Sequence, residues 1–342
     1  MRSIVPLTED SLVAAIKESV GAPARRLVVG IGDDAAVWKA PRSHLSVVST
    51  DMLVDGVHFR GDLTSPEALG HKALAVNLSD IAAMGARPVL AVIALGLTAE
   101  INEGWARKFY GGMAGCARAH GCAIAGGDIV SASQLTIAVT AIGDVRRSGL
   151  RLRSTARPGD IACVTGPLGL AAAGLRLTID QHARTGNGSP GPLSAEHAVT
   201  LRAAYELPTP RVAEGCFLAG SRATHAMMDI SDGLSLDGAR MALASGVDLC
   251  LDMSGYGAHP ALAAFTQMSL EFVLHGGDDY ELLAAVEPRA FAHLCKRYRA
   301  RFNRELVAVG RFESGEGNMW MLEGGVRRRH EPRGYDHLRR RS

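Results

Sequence analysis

Apolar positions recur along the chain with two periods. At helical spacing, "LTEDSLVAAIKESV" (7–20) predicts a first helix, with Thr8 as its cap and acids in its first turn. Short runs of strand character follow: "RRLVVG" (25–30), "AAVWKA" (35–40), "HLSVVSTD" (44–51) and "DGVHF" (55–59). "SPEALGHKALAVNLSDIAAMGA" (65–86) returns to helix: Ser65 caps it, Pro66 suits the first turn, and Leu69, Ala73, Val76 and Ala83 recur at helical spacing. "PVLAVIALGL" (88–97) predicts a strand, 102–121 a second long helix, and 122–130 and 134–145 two further strands. The stretch 146–160, rich in charge, Gly and Pro, breaks the pattern. It divides the chain into expected domains 1–148 and 149–342.

The second half restarts with strand "IACVTG" (161–166) and helix "LGLAAAGLRLTID" (168–180). "GNGSPGPLS" (186–194) has the composition of a surface insertion. Helices are expected at 195–206, 209–219 and 288–302, and strand, loop and helix within 225–246. Segments 247–254, 270–286, 304–312 and 318–325 supply further predicted strands. Both halves mix helices with consecutive strands, which predicts an α/β domain followed by an α+β domain. "AIAGGDIV" and "VLHGGDDY" echo each other faintly across the halves.

Composition narrows the class. Of 342 residues, 47% are hydrophobic and 21% charged, as in globular proteins, and the formal net charge is only +2. The basic excess lies at the end, where 326–342 holds seven arginines without aromatic interleaving, so a solvated tail is expected and not a nucleic-acid arm. The six cysteines form no C-x-x-C pair and read as buried thiols of a reducing compartment. With no apolar signal region or membrane-length run, a cytoplasmic protein is expected.

The unusual feature is the placement of acids. Asp33 and Asp34 follow an apolar strand as adjacent like charges. Ser49, Thr50 and Asp51 end another strand; Asn77, Ser79 and Asp80 lie in an apolar helix; Asp128 follows two glycines. Asp229, Ser231 and Asp232 form one more group, and Asp278, Asp279 and Glu281 the last. Any one of these alone reads as a turn. Asp80 does not, because an acid on an apolar helix needs a partner. Carboxylates joined by Ser and Thr oxygens, with no His or Cys beside them, make a hard-oxygen site suited to Mg²⁺ or Mn²⁺. Several such ions imply a polyphosphate, and the glycines beside Asp128 and Asp278 would admit its phosphates. The P-loop and the protein-kinase motifs are both missing, so nucleotide chemistry here would rest on acid-bound metal.

The strings "GIGDDAAV", "STDMLVDGVHF", "GHKALAVNLSDIAAMGARP", "AGGDIV", "RPGDIACVTGPLG", "MDISDGLSLD", "GGDDYELL" and "GYDHL" run in order over nearly the whole chain. Together they resemble the thiamine-monophosphate kinase family. Its wider superfamily includes aminoimidazole ribonucleotide synthetase, selenophosphate synthetase and a hydrogenase-maturation dehydratase. The resemblance implies a two-domain aminoimidazole ribonucleotide synthetase-like fold, with the N-terminal sheet pairing across a homodimer and Mg²⁺-ATP in the cleft between domains. It implies metal ligands at Asp34, Ser49, Thr50, Asp51, Asp80, Asp128, Asp229 and Asp232, with Asp33 behind Asp34. Nucleotide contacts would fall on Gly127, Asp128, Arg153 and Ser231, and substrate contacts on His58, Asp278 and Tyr335. Asp278 stands where the family often has Glu, Tyr335 where it often has Trp or Phe, and "YELPTPR" (205–211) replaces a more basic stretch.

The implied activity is ATP-dependent phosphorylation of thiamine monophosphate to thiamine diphosphate. The attacking phosphate is largely ionised at pH 7, with a second pKa near ~6, so in-line transfer would need no protein base. Two alternatives stay open: another ATP-using enzyme of the superfamily with a different acceptor, and a non-catalytic nucleotide-binding relative.

Overall fold

The computed structural model describes residues 9–21, 26–31, 35–183, 193–265 and 268–335. The expected cap Thr8, the pair Asp33–Asp34, most of the insertion and the last three residues of "GYDHL" lie outside the described residues. The chain forms two compact units, Met1–Ile81 with Arg87–Arg147, and Ala82–Ala86 with Ser148–Ser342.

The first unit contains α1 (Glu9–Val20), a hairpin of β1 (Leu27–Val29) and β2 (Val37–Trp38), and four long elements of one sheet. These are β3 (His44–Val54), β4 (Arg87–Leu97), β5 (Ala123–Ser131) and β6 (Thr136–Arg146), in the order β3-β6-β4-β5. Only β4 and β5 run parallel, joined through helix α3 (Glu103–His120). Asn102 caps α3 by accepting the Trp105 N–H, and Gly121 ends it in the left-handed conformation. Helix α2 (Pro66–Ala83) buries Leu74, Leu78 and Ile81 completely. In the sheet, Ile93, Ile137, Val139 and Ala141 form a buried face. On the other face the hairpin packs Leu27, Ala36 and Trp38 near β4 and β5, whereas Val48, Met52 and Val130 stay 63%, 56% and 54% exposed.

The second unit is built on a seven-stranded sheet. Its strands are β7 (Ile161–Val164), β8 (Thr224–Ile230), β9 (Val247–Leu251), β10 (Glu281–Val286), β11 (Val307–Ser314), β12 (Met319–Glu323) and β13 (Val326–Arg329). They lie in the order β13-β12-β9-β11-β7-β10-β8. β7, β9 and β10 are buried at every position. Such strands read as apolar runs without alternation because both faces are covered. Helices α4 (Leu170–Ala183), α5 (Ala195–Glu206), α7 (Leu234–Ser245) and α8 (Ser269–His275) feed one apolar core. Helix α6 (Val212–Ala219) meets α9 (Pro288–Phe302), whose buried Tyr298 donates its hydroxyl to the Thr165 carbonyl at 2.9 Å.

The α/β plus α+β architecture agrees with the expectation from the sequence, and two local readings are corrected. "DGVHF" is not a strand: Val57 and His58 both donate to the Val54 carbonyl, Gly56 is left-handed, and only an Asp55–Phe59 bridge remains. The run 270–286 is not one strand. Its first part is α8, ended where the Gly276 N–H donates to the Phe272 carbonyl, and only 281–286 is β10. The echo between its "HGGDD" and the "AGGDI" of β5 therefore has no structural counterpart. Within the basic tail β13 pairs with β12 and stays exposed at every position, and Arg327 lies over the Trp320 ring at 3.9 Å. All six cysteines are free thiols, four of them buried. Among the described residues no helix is long and apolar enough to cross a membrane.

Candidate active site

In the first unit β3 presents Ser49, Thr50 and Asp51 in succession, and strand geometry turns them to alternate faces. Ser49 Oγ donates to Asp80 Oδ2 of α2. The Asp51 N–H leaves the ladder for Asn77 Oδ1 at 3.1 Å, and Asn77 is itself anchored to the Ala73 carbonyl. Burial, reinforced by the Asp80 charge, pushes the Asp51 carboxyl up to about 6. Two nearby carboxylates and a hydroxyl form a donor set that fits a hard divalent cation, which would relieve both the burial and the repulsion. Thr50 faces the other way: its Oγ1 donates to the Val139 carbonyl at 3.1 Å and meets Thr140 Oγ1 at 3.0 Å. The structure therefore does not bring the Thr50 hydroxyl to Ser49, Asp51 and Asp80. His58 lies in the turn after β3, where its Nδ1 accepts the Val54 N–H at 3.0 Å.

Asp128 stands apart from that group. The sheet register aligns it with Ala94, Ala138 and Met52, whereas Asp51 is aligned with Val139, Ile93 and Gly127. Among the described residues no three His, Cys, Asp or Glu side chains converge as a metal cage. Asp128 borders instead a pocket lined by Ile16, Ile93, Tyr110, Ile124 and Gly127. Gly127 is required by the sheet itself, because a Cβ there would sit 1.8 Å from the Ile93 carbonyl oxygen. Gly126 faces open space.

In the second unit two loops and the segment 330–335 converge. β8 ends at the buried Asp229 and Ile230, and Ser231, Asp232 and Gly233 lead into α7. Asp237, from the first turn of α7, accepts the Ser231 N–H at 3.0 Å and the Asp232 N–H at 2.8 Å. Arg240 Nη1 spans Asp232 and Asp237, so a guanidinium already serves as their counter-charge. Even so, burial, with the Asp232 charge adding to it, pushes Asp237 up to about 6. The "GGDDY" loop is laced onto this one: the Asp278 N–H donates to the Ser231 carbonyl at 2.8 Å and the Tyr280 N–H to Ile230 at 2.9 Å. Both Asp278 and Tyr280 are left-handed, with φ of 69° and 50°, and the Tyr280 hydroxyl donates to Asp278 Oδ1. Strain of this kind persists only where surrounding bonds over-determine it. Tyr335 joins through its N–H, which donates to the Asp232 carbonyl at 3.3 Å. Asp229, Ser231, Asp232, Asp278 and Tyr335 thus share one neighbourhood.

Two family descriptions match the chain: AIR synthase related protein, N-terminal domain, over residues 32–145, and its C-terminal domain over residues 157–318. A thiamine-monophosphate kinase of Bacillus subtilis (strain 168) is 37% identical over 259 residues, 75% of this chain and 77% of that protein. The chain belongs to the thiamine-monophosphate kinase family. Solved structures agree. The thiamine-monophosphate kinase of Stenotrophomonas maltophilia K279a matches with a TM-score of 0.80 at 35% identity, covering 92% of this chain and 96% of that one. AaThiL complexed with AMPPCP and TMP matches with a TM-score of 0.72 at 28% identity, covering 98% and 100%.

Within this family fold, several residues outside the implied ligand and substrate contacts matter. Asp237 and Arg240 build the loop that carries Asp232. Asp279, next to Asp278, turns inward and accepts the Gly169 N–H at 2.7 Å at the entry to α4. Burial raises its pKa well above the ordinary carboxylate range, the Gly169 bond opposing. Of the five arginines in 146–157, Arg153 is exposed. Arg151 is the buried one, donating to the carbonyls of Ser148, Leu150, Ala219 and Ser221. The buried Tyr110 of α3 lines the pocket at Asp128.

Proposed function

We propose that the protein phosphorylates thiamine monophosphate to thiamine diphosphate with ATP, in a single in-line, Mg²⁺-dependent transfer. Membership in the thiamine-monophosphate kinase family supports the reaction, as does the likeness to AaThiL complexed with AMPPCP and TMP, since AMPPCP is an ATP analogue. The observation that carries the metal dependence is the Asp51–Asp80 pair, which a cation would stabilise. Ser49, Asp51 and Asp80 are the proposed core of the ligand set, with Asp34, Asp128, Asp229 and Asp232 as further members. Thr50, engaged with β6, is the member the sheet geometry supports least. Bound Mg²⁺ would neutralise the charge on the transferring phosphates.

The chain's own part is to bind and align. The pocket of Ile93, Tyr110 and Ile124 offers an apolar seat for the nucleotide base beside Gly127 and Asp128. Ser231 is proposed at the phosphates, with Arg153 as a more distant contact. His58, Asp278 and Tyr335 are proposed to take the acceptor, the Tyr335 ring against its cationic thiazolium. No side chain need remove a proton, because the acceptor phosphate is ionised with a second pKa near ~6. Alignment and charge neutralisation then account for the rate.

We also propose a homodimer joined through the first unit's sheet, supported by the exposed Val48, Met52 and Val130 on its face away from α2. A cytoplasmic setting is supported by six free thiols. The test is an assay with ATP, Mg²⁺ and thiamine monophosphate that scores ADP and thiamine diphosphate. Equimolar products support the proposal. ATP consumption only with another acceptor, or ATP binding without turnover, overturns it.

A further inference from the structure

The last described residues form a strap beside the proposed acceptor loops. β13 ends at Arg329, and the chain then passes the first turn of α7 and the end of α8. Ser235, fully buried in α7, holds it twice: its Oγ lies 2.9 Å from His330 Nε2 and accepts the Arg333 N–H at 3.2 Å. His275, the last residue of α8, holds it from the other side. Its Nδ1 lies 3.1 Å from the Arg333 carbonyl oxygen, and its Nε2 lies 3.1 Å from Arg333 Nη2. A carbonyl only accepts and a guanidinium only donates. The two contacts together therefore require a proton on Nδ1 and a bare Nε2, the neutral ring. Just beyond, Gly334 presses on the Asp232 carbonyl, where a Cβ would sit 2.4 Å away, and the Tyr335 N–H donates to the same oxygen.

We propose that His275 is a positioning residue for the phosphate acceptor: its neutral ring latches Arg333, and the latched strap presents Tyr335 to the acceptor site. This rests on the reading of Tyr335 as an acceptor contact. A second proton on His275 would sit on Nε2, donor against donor and charge against charge with Arg333. His330 stacks on His275, with ring centroids 5.6 Å apart and planes 4° from parallel. Burial and then His275 hold the His330 pKa below its usual value, with Arg333 adding to this and Glu323 and Glu271 opposing. Glu271 also faces His275, at 3.9 Å, but is half exposed and already paired with Arg333 at 3.2 Å.

The experiment compares the full-length wild type with His275→Ala, His275→Asn and Tyr335→Ala. Asn keeps a donor for the Arg333 carbonyl and takes up no proton. At pH 7.5, hydrogen exchange of a 328–335 peptide should be faster in His275→Ala than in wild type and restored in His275→Asn. The same pattern is expected in KM for thiamine monophosphate, raised about five-fold or more in His275→Ala, the scale of one lost hydrogen bond, with kcat and the ATP KM unchanged. Unchanged exchange in His275→Ala overturns the latch. Faster exchange with an unchanged KM overturns the positioning role while Tyr335→Ala still raises KM. If Tyr335→Ala leaves KM unchanged as well, the acceptor reading of Tyr335 has failed and the inference fails with it.

Discussion

At the scale of single residues, Asp51 carries the clearest consequence. Its folded pKa of about 6 lies above the ordinary value of 3.8, so the folded chain holds this proton more tightly than the unfolded one. The stabilising contribution is complete below the unfolded value and is lost as pH rises through about 6. Thermal unfolding without divalent ions should show stability falling across that window. Asp51→Asn should remove the fall, and Mg²⁺ should offset it in wild type. Asp237 makes a different prediction, because it holds two backbone N–H groups and one guanidinium. Asp237→Ala should destabilise the fold by about 3 kcal/mol, as removing one partner of a buried charged network does, read from denaturant midpoints. Asp237, like Asp80, is an acid on a largely apolar helix, and the "SDGLSLD" stretch places it beyond Asp232 in the first turn of α7.

At the scale of elements, β5 shows why the double glycine cannot be read from one side. Phosphate access was the reason visible in the sequence; the approach of β4 to Gly127 is the reason visible in the fold. Gly127→Ala should therefore lower stability by about 1–3 kcal/mol, the usual range for overpacking, together with activity, whereas Gly126→Ala should leave stability nearly unchanged. Melting curves of the two variants distinguish these outcomes. The helices with regular apolar spacing and the long strands were legible because each carries its own periodicity. The turn at 55–58 and the α8–loop–β10 segment were not. Their apolar runs are as short as strands; local bonds to the Val54 and Phe272 carbonyls close the turn and α8, and the Asp278 and Tyr280 N–H groups tie the next loop to the one after β8. The alternation that turns Thr50 from Ser49 and Asp51 was legible in principle, since consecutive strand residues cannot share a face. Motif likeness grouped all three regardless.

At the scale of the molecule, the sheet face carrying Val48 and Met52 makes a prediction about assembly. Met52→Glu should shift the solution mass from twice the 36.0 kDa chain mass toward a single chain, measured by light scattering. The family and its two-domain fold were legible in eight ordered strings, because each is long or specific enough to be matched and together they run through both units. The measurement that bears most directly on the whole account follows the γ-phosphate. Enzyme at substrate-level concentration is mixed with γ-labelled ATP, Mg²⁺ and thiamine monophosphate, then quenched. The account predicts one label in thiamine diphosphate for each ADP formed, none on the protein, and no transfer when Mg²⁺ is removed. Label trapped on the protein, or released as free phosphate without thiamine diphosphate, would contradict it.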